Sequence, residues 1–193
     1  MTTTVEKTDS GFSDSRKTVL DETGNLLNSV DADQWNRAGA VVLGARSVFV
    51  IGNGRSGLAI QMAAMRLMHL GLPTHVAGEV TAPAIDSGDV LIAVSGSGTT
   101  ASVVGAAETA KKVGASVIAV TTNWESKLAQ LGDAVLILPA ADKQDHSGSV
   151  TKQYAGSLFE QSVLLAFDAL FEALRSNSDQ TPEELWKRHA NIG

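Results

Sequence analysis

The chain has 193 residues, 44% of them apolar and 5% aromatic, with 15 Lys and Arg against 21 Asp and Glu, a net charge of −6. That length supports one domain with a sizeable core, and the apolar share excludes a disordered chain. The absence of Cys excludes a disulfide framework, a thiolate metal site and a thiol nucleophile, while the acidic balance argues against general nucleic-acid binding but leaves room for a local anion pocket.

Residues 1–14 read as a flexible polar tail, without the apolar run of a signal peptide. No stretch of about 20 apolar residues exists to span a bilayer, so a cytoplasmic protein with no membrane partner is expected. Apolar residues then recur at helical spacing over 12–30, and Asp31 is placed to cap a second helix that runs to about 44 with Trp35 and Val42 inward. Residues 48–51 form a short apolar strand ending in glycines. Helix 58–70 stops before Gly71 and Pro73, and 75–77 is a weak strand. A strong strand over 90–94 leads through a Gly/Ser turn into an Ala-rich helix to 113, with Gly114 at its end. Strand 117–120, a short helix over 125–131 and strand 135–138 follow. Residues 140–152 make a long polar loop. Helix 154–175 is apolar nearly all round, and Thr181-Pro182-Glu183-Glu184 has the order of a capping box opening a last helix.

This alternation predicts an α/β fold: a five-stranded parallel sheet in the order 2-1-3-4-5, flanked by helices, with N-terminal helices and a long apolar C-terminal helix, all in one domain over 15–193. A helix apolar on every side is hard to bury within one small domain, so helix 154–175 is expected to join copies of the chain.

Two glycine loops carry the chemistry. Gly52-Asn53-Gly54-Arg55-Ser56-Gly57 follows the first strand and fits the dinucleotide pattern G-x-G-x-x-G, with Glu79 a further 22 residues past Gly57. A nicotinamide site is disfavoured because the chain turns all-helical after 139 and builds no second nucleotide-binding half. Ser95-Gly96-Ser97-Gly98-Thr99-Thr100 follows the third strand and offers four hydroxyls, close-approach glycines and the N–H groups of a helix start. That set suits a phosphate monoester, and the lack of G-K-[ST] excludes a P-loop. In the 2-1-3-4-5 order both loops line the switch-point crevice, where ligands bind. Arg55 adds a fixed positive charge there.

These loops together resemble a sugar isomerase (SIS) domain. Met65-Arg66-Leu67-Met68-His69-Leu70-Gly71, Gly78-Glu79, Gly156-Ser157-Leu158-Phe159-Glu160-Gln161 and Arg188-His189-Ala190-Asn191 resemble more closely the 6-phospho-3-hexuloisomerase family, over about residues 15–193. The resemblance implies a tetramer that interconverts D-arabino-hex-3-ulose 6-phosphate and fructose 6-phosphate, the second step of formaldehyde fixation by the ribulose monophosphate route, coupled to a hexulose-phosphate synthase. Moving a carbonyl from C3 to C2 proceeds through a 2,3-enediol(ate) and needs a base, a second group for the hydroxyl protons, and no metal or redox cofactor. The resemblance makes Glu160 the expected base, and its neighbours Leu158, Phe159, Val163 and Leu164 would strip water from its carboxylate. His189 is the expected proton shuttle, as in related isomerases where a histidine near the chain end reaches a shared site, often in a neighbouring subunit. Arg55 is expected on the enediolate or the phosphate; Gly54, Ser56, Ser95, Ser97, Thr99 and Thr100 on the phosphate. His69 lies 14 residues after Arg55 on one helix, about 21 Å along the axis, and is expected at an interface or as a partner of the helix dipole; Glu79 is a candidate for a site at a subunit boundary. His75 and His146 carry no signal. Another SIS aldose–ketose isomerase and a non-catalytic sugar-phosphate binder are the competing readings.

Overall fold

The computed structural model describes residues 11–192 apart from 144 and 146. Most of the tail expected over 1–14 therefore lies outside the described residues, as does His146; helix α1 spans Phe12–Ser29. After it come α2 (Ala32–Leu43), β1 (Val48–Gly52), α3 (Gly54–His69), β2 (Thr74–Val76), β3 (Val90–Val94) and α4 (Ala101–Val113). The chain continues through β4 (Ser116–Thr121), α5 (Lys127–Leu131), β5 (Ala134–Ile137), α6 (Ser157–Ser176) and α7 (Pro182–Trp186). All pairings are parallel and the order is β2-β1-β3-β4-β5, as expected. No helix among the described residues is long and apolar enough to cross a membrane.

Strand periodicity sorts the core into two layers. Val48, Val50, Val90, Ile92, Val94, Ile118 and Val120 face a cluster built with α2, α3 and α6. The alternate residues Phe49, Leu91, Ala93, Val117 and Ala119 face a second cluster with α4. Successive side chains of a strand point to opposite faces, so a sheet covered on both sides must be apolar throughout, and β3 (VLIAV) is buried at every position.

Two expectations change. Helix α3 begins at Gly54, four residues before the expected start at 58, because the glycine loop itself supplies the first helical turn. Helix α6, expected to present its apolar residues to another copy, buries most of them within the chain. Its Leu158, Phe159, Val163, Ala166, Phe167, Leu170 and Phe171 are buried within the chain, where α3 packs on one side and α1 and α2 on others. Trp35 of α2 meets Phe167 edge-on at 5.2 Å. The N-terminal helices thus cover the face that a sheet alone would leave open. The exposed apolar stripe lies instead on α3, where Leu58, Met62 and Met65 are 64%, 51% and 56% exposed.

The strand starts are tied by Arg46 and Asp89. The guanidinium donates to both carboxylate oxygens, at 2.9 and 2.8 Å, and the Asp86 N–H donates to Asp89 Oδ2 at 2.8 Å. The Arg46 hydrogen bond, helped by the Asp86 N–H and opposed by burial, holds the Asp89 carboxyl below the usual carboxylate range. A depressed carboxylate stabilises the fold above its ordinary pKa and loses that contribution as pH falls. Asp89→Asn is therefore expected to cost about 1–3 kcal/mol at neutral pH in urea unfolding. The gap from the parent chain should close below about pH 4.

Candidate active site

The two glycine loops are built by close approach. Gly57 of α3 lies against the end of β1, where a Cβ would meet the Gly52 carbonyl oxygen at 2.5 Å. This seats the helix start directly over the strand and buries Ser56. In the second loop Ser95 Oγ lies 2.9 Å from Thr100 Oγ1 and accepts from the Gly98 N–H at 3.1 Å. Ser97 Oγ accepts from the Thr99 hydroxyl and the Thr99 N–H, at 3.1 and 3.3 Å. Gly96 O accepts from the hydroxyls of Thr121 and Thr122, each at 2.9 Å. Gly98 has φ +62°, and a Cβ there would meet Ser126 Oγ at 2.2 Å. Asn53 Nδ2 donates to Ser102 Oγ at 2.8 Å, linking the starts of α3 and α4.

The loops enclose a cavity of about 390 Å³ lined by Asn53, Ser56, Ser95, Gly96, Ser97, Thr99 and Thr100, with Val94 at its base and Asp142 and Lys143 across from them. No side chain caps α4 at Thr100, which lines the cavity, so the positive end of the helix dipole lies at that edge of the cavity. Of the residues expected to hold phosphate, Ser56, Ser95, Ser97, Thr99 and Thr100 line this space; Gly54 shapes the turn beside it, with φ +57°.

Glu160 and Arg55 come together across the chain. Arg55 Nε donates to Glu160 Oε2 at 2.6 Å. Glu160 is buried in the first turn of α6, and its other oxygen, Oε1, lies 3.4 Å from Lys143 Nζ. The sequence reading missed Lys143, Asp142 and Asn53. The first two belong to the polar loop after β5, whose far end is fastened to α1: Glu22 accepts from Thr151 Oγ1 at 2.6 Å, the Lys152 N–H at 2.9 Å and Gln153 Nε2 at 3.1 Å. Burial pushes the Glu22 carboxyl up, and those donors outweigh it and hold it below its ordinary value.

His189 does not join this group within the chain. Its ring stacks on His69 at 3.9 Å and lies 4.4 Å from Trp186, at the end of α3 remote from Arg55. Arg188 fastens the segment by donating to the His69 carbonyl at 2.9 Å and Gln180 Oε1 at 2.7 Å. Burial, together with the charges of His189 and Arg66, lowers the His69 pKa. Glu79 lies elsewhere again, in a second cavity of about 400 Å³ with Phe49, Ile85 and Leu91. The His75 ring packs 5.0 Å from Phe49.

Residues 42–166 match the SIS domain family. A Mycobacterium gastri 3-hexulose-6-phosphate isomerase is 52% identical over 174 residues, covering 90% of this chain and 87% of its own. The chain belongs to the SIS-domain 3-hexulose-6-phosphate isomerase family. The Bacillus subtilis 3-hexulose-6-phosphate isomerase, 35% identical, spans 90% of the chain and 95% of its own. The same fold occurs in the crystal structure of a Methanococcus jannaschii protein described as inferring a 3-hexulose-6-phosphate isomerase function. It shares 27% identity, with a TM-score of 0.80, over 92% of this chain and 98% of that one. The family resemblance read from the Gly-Ser-Leu-Phe-Glu and Arg-His-Ala-Asn segments is therefore met.

Gly98 is the position in the second loop with the least room for a side chain. Gly98→Ala combines a left-handed conformation with overlap on Ser126. It is expected to cost about 2–3 kcal/mol, read as a lower urea midpoint at unchanged m-value.

Proposed function

We propose that the chain interconverts D-arabino-hex-3-ulose 6-phosphate and D-fructose 6-phosphate, the second step of formaldehyde fixation in the ribulose monophosphate pathway. The observation that carries this reading is the buried Glu160 carboxylate, bonded to Arg55 beside a hydroxyl-rich cavity at the start of α4. The phosphate takes the Ser95–Thr100 loop, where hydroxyls and N–H groups supply donors without a lysine of the P-loop type. Glu160 removes the proton from C2; the C2–H electron pair forms the C2–C3 double bond, and O3 gains a proton, giving the 2,3-enediol. Return of a proton to C3 and loss of the O2 proton leave the carbonyl at C2. The electrons stay within the sugar, so the chemistry requires no redox cofactor. Arg55 offsets negative charge on the enediolate.

His189 is the group for the hydroxyl protons. It stacks on His69 at the far end of α3, about 21 Å from Arg55 by helix rise, so it serves the crevice of a neighbouring copy. This requires a homo-oligomer, a tetramer on the family reading, for which the exposed α3 stripe of Leu58, Met62 and Met65 supplies apolar surface. The enzyme works in the cytoplasm on the product of a hexulose-phosphate synthase.

In an assay coupled to that synthase with formaldehyde and ribulose 5-phosphate, the parent chain is expected to produce fructose 6-phosphate. Glu160→Gln should lower kcat by about 10²–10⁴-fold while sugar phosphate still binds. Retained turnover removes Glu160 as the base, and no product from the parent chain rejects the reaction. Glu160→Gln and His189→Asn chains, each inactive alone, should regain turnover after subunit exchange, because mixed oligomers contain sites with both groups intact. No regain on mixing removes the shared site.

A further inference from the structure

Lys143 has no part in the mechanism above, yet it is the one basic residue among the described residues lining the cavity. Each oxygen of Glu160 meets a different cation: Oε2 takes Arg55 at 2.6 Å and Oε1 faces Lys143 at 3.4 Å. The lysine reaches that position over the N-cap of α6. A Cβ at Gly156 would lie 2.8 Å from Lys143 Cε, 3.1 Å from Lys143 Cγ and 3.4 Å from Glu160 Oε1. The lysine stem and the carboxylate thus pack against the bare α-carbon of Gly156. Gly156 itself has φ −82° and ψ 14°, angles open to any residue, so the backbone conformation does not demand glycine there; the passage of Lys143 does. Ala155, just before it, has φ +45°, a left-handed conformation that a residue with a Cβ adopts only where its surroundings impose it.

We infer that Lys143 is a further residue of the isomerase site, the second cation that stabilises enediolate charge beside Glu160, and that Gly156 is its positioning residue. The inference rests on the reaction proposed above. Proton transfer from C2 to Glu160 moves one negative charge from the carboxylate to the sugar oxygens and leaves Arg55 and Lys143 without their carboxylate partner. The cations are already adjacent, so the charge shifts within a fixed positive frame and no distant group has to reorganise. Lys143 keeps its side chain 54% exposed, so a substrate oxygen can approach the ammonium where it stands. Asp142 lines the same cavity beside it.

Two variants test this by different routes. Lys143→Met removes the charge; Gly156→Ala keeps the charge and displaces the lysine, the flexible end of which gives way before the helix does. Lys143→Met is expected to lower kcat by about 10²-fold with KM changed less than about threefold, the pattern of an interaction made in the transition state. Gly156→Ala should lower kcat in the same way by about tenfold, and the double variant should match Lys143→Met alone, because both remove one interaction. The inference is overturned by a Lys143→Met enzyme with kcat within about twofold of the parent, by a loss confined to KM, or by losses that multiply in the double variant. Circular dichroism melts read folding separately; if Gly156→Ala does not fold, Lys143→Met decides alone. A parent chain that gives no fructose 6-phosphate in the same assay rejects the reaction rather than the role of Lys143.

Discussion

Helix α3 starts in contact with the strand that feeds it, at a separation only a glycine tolerates, and the rest of the site depends on that approach. With Gly57 packed on the Gly52 carbonyl, the first turn of α3 is held at the carboxyl end of β1. Ser56 is then driven into the crevice and Arg55 is brought out beside it toward α6. Since β1 pairs with β3 residue by residue, from Val48 with Val90 to Gly52 with Val94, the same height along the sheet brings in the Ser95–Thr100 loop. The sheet register sets which side chains share the cavity, and the close approach sets their distance.

The electrostatics follow from an acidic chain holding an anion. At a net charge of −6 the overall field opposes a sugar phosphate, so attraction must be local and short-ranged. In the function proposed above it comes from the uncapped start of α4, the hydroxyls of the second loop, and two cations gathered on one buried carboxylate. Burying Glu160 without partners would be costly; Arg55 and Lys143 offset that cost.

The sequence was legible where the signal is local. Strand order, both glycine loops and the capping box of Thr181 follow from periodicity and turn chemistry. The start of α3 was read late because Gly54 and Gly57 argue against helix by propensity, while close packing on β1 overrides that preference. The apolar content of α6 implied burial, but periodicity does not say by what: α1, α2 and α3 cover most of it within the chain, while Leu165 stays exposed. Glu160 and His189 were found through family segments, and their separation in one chain follows only from where the last helix lands, at the far end of α3. Lys143 left no signal, since a lysine in a polar loop reads as solvent-exposed until the bare α-carbon of Gly156 shows what it passes over.

The Asn53–Ser102 hydrogen bond bears on binding. It joins the starts of α3 and α4, while Gly96 is held by Thr121 and Thr122, and Gly98 sits tightly against Ser126. The floor of the cavity is therefore held together by bonds within the chain. For the phosphate binding proposed above, a floor already tied in this way leaves little conformational entropy to lose on association. The segment after β5 reaches the cavity through Asp142 and Lys143 and is fastened to Glu22 at its far end.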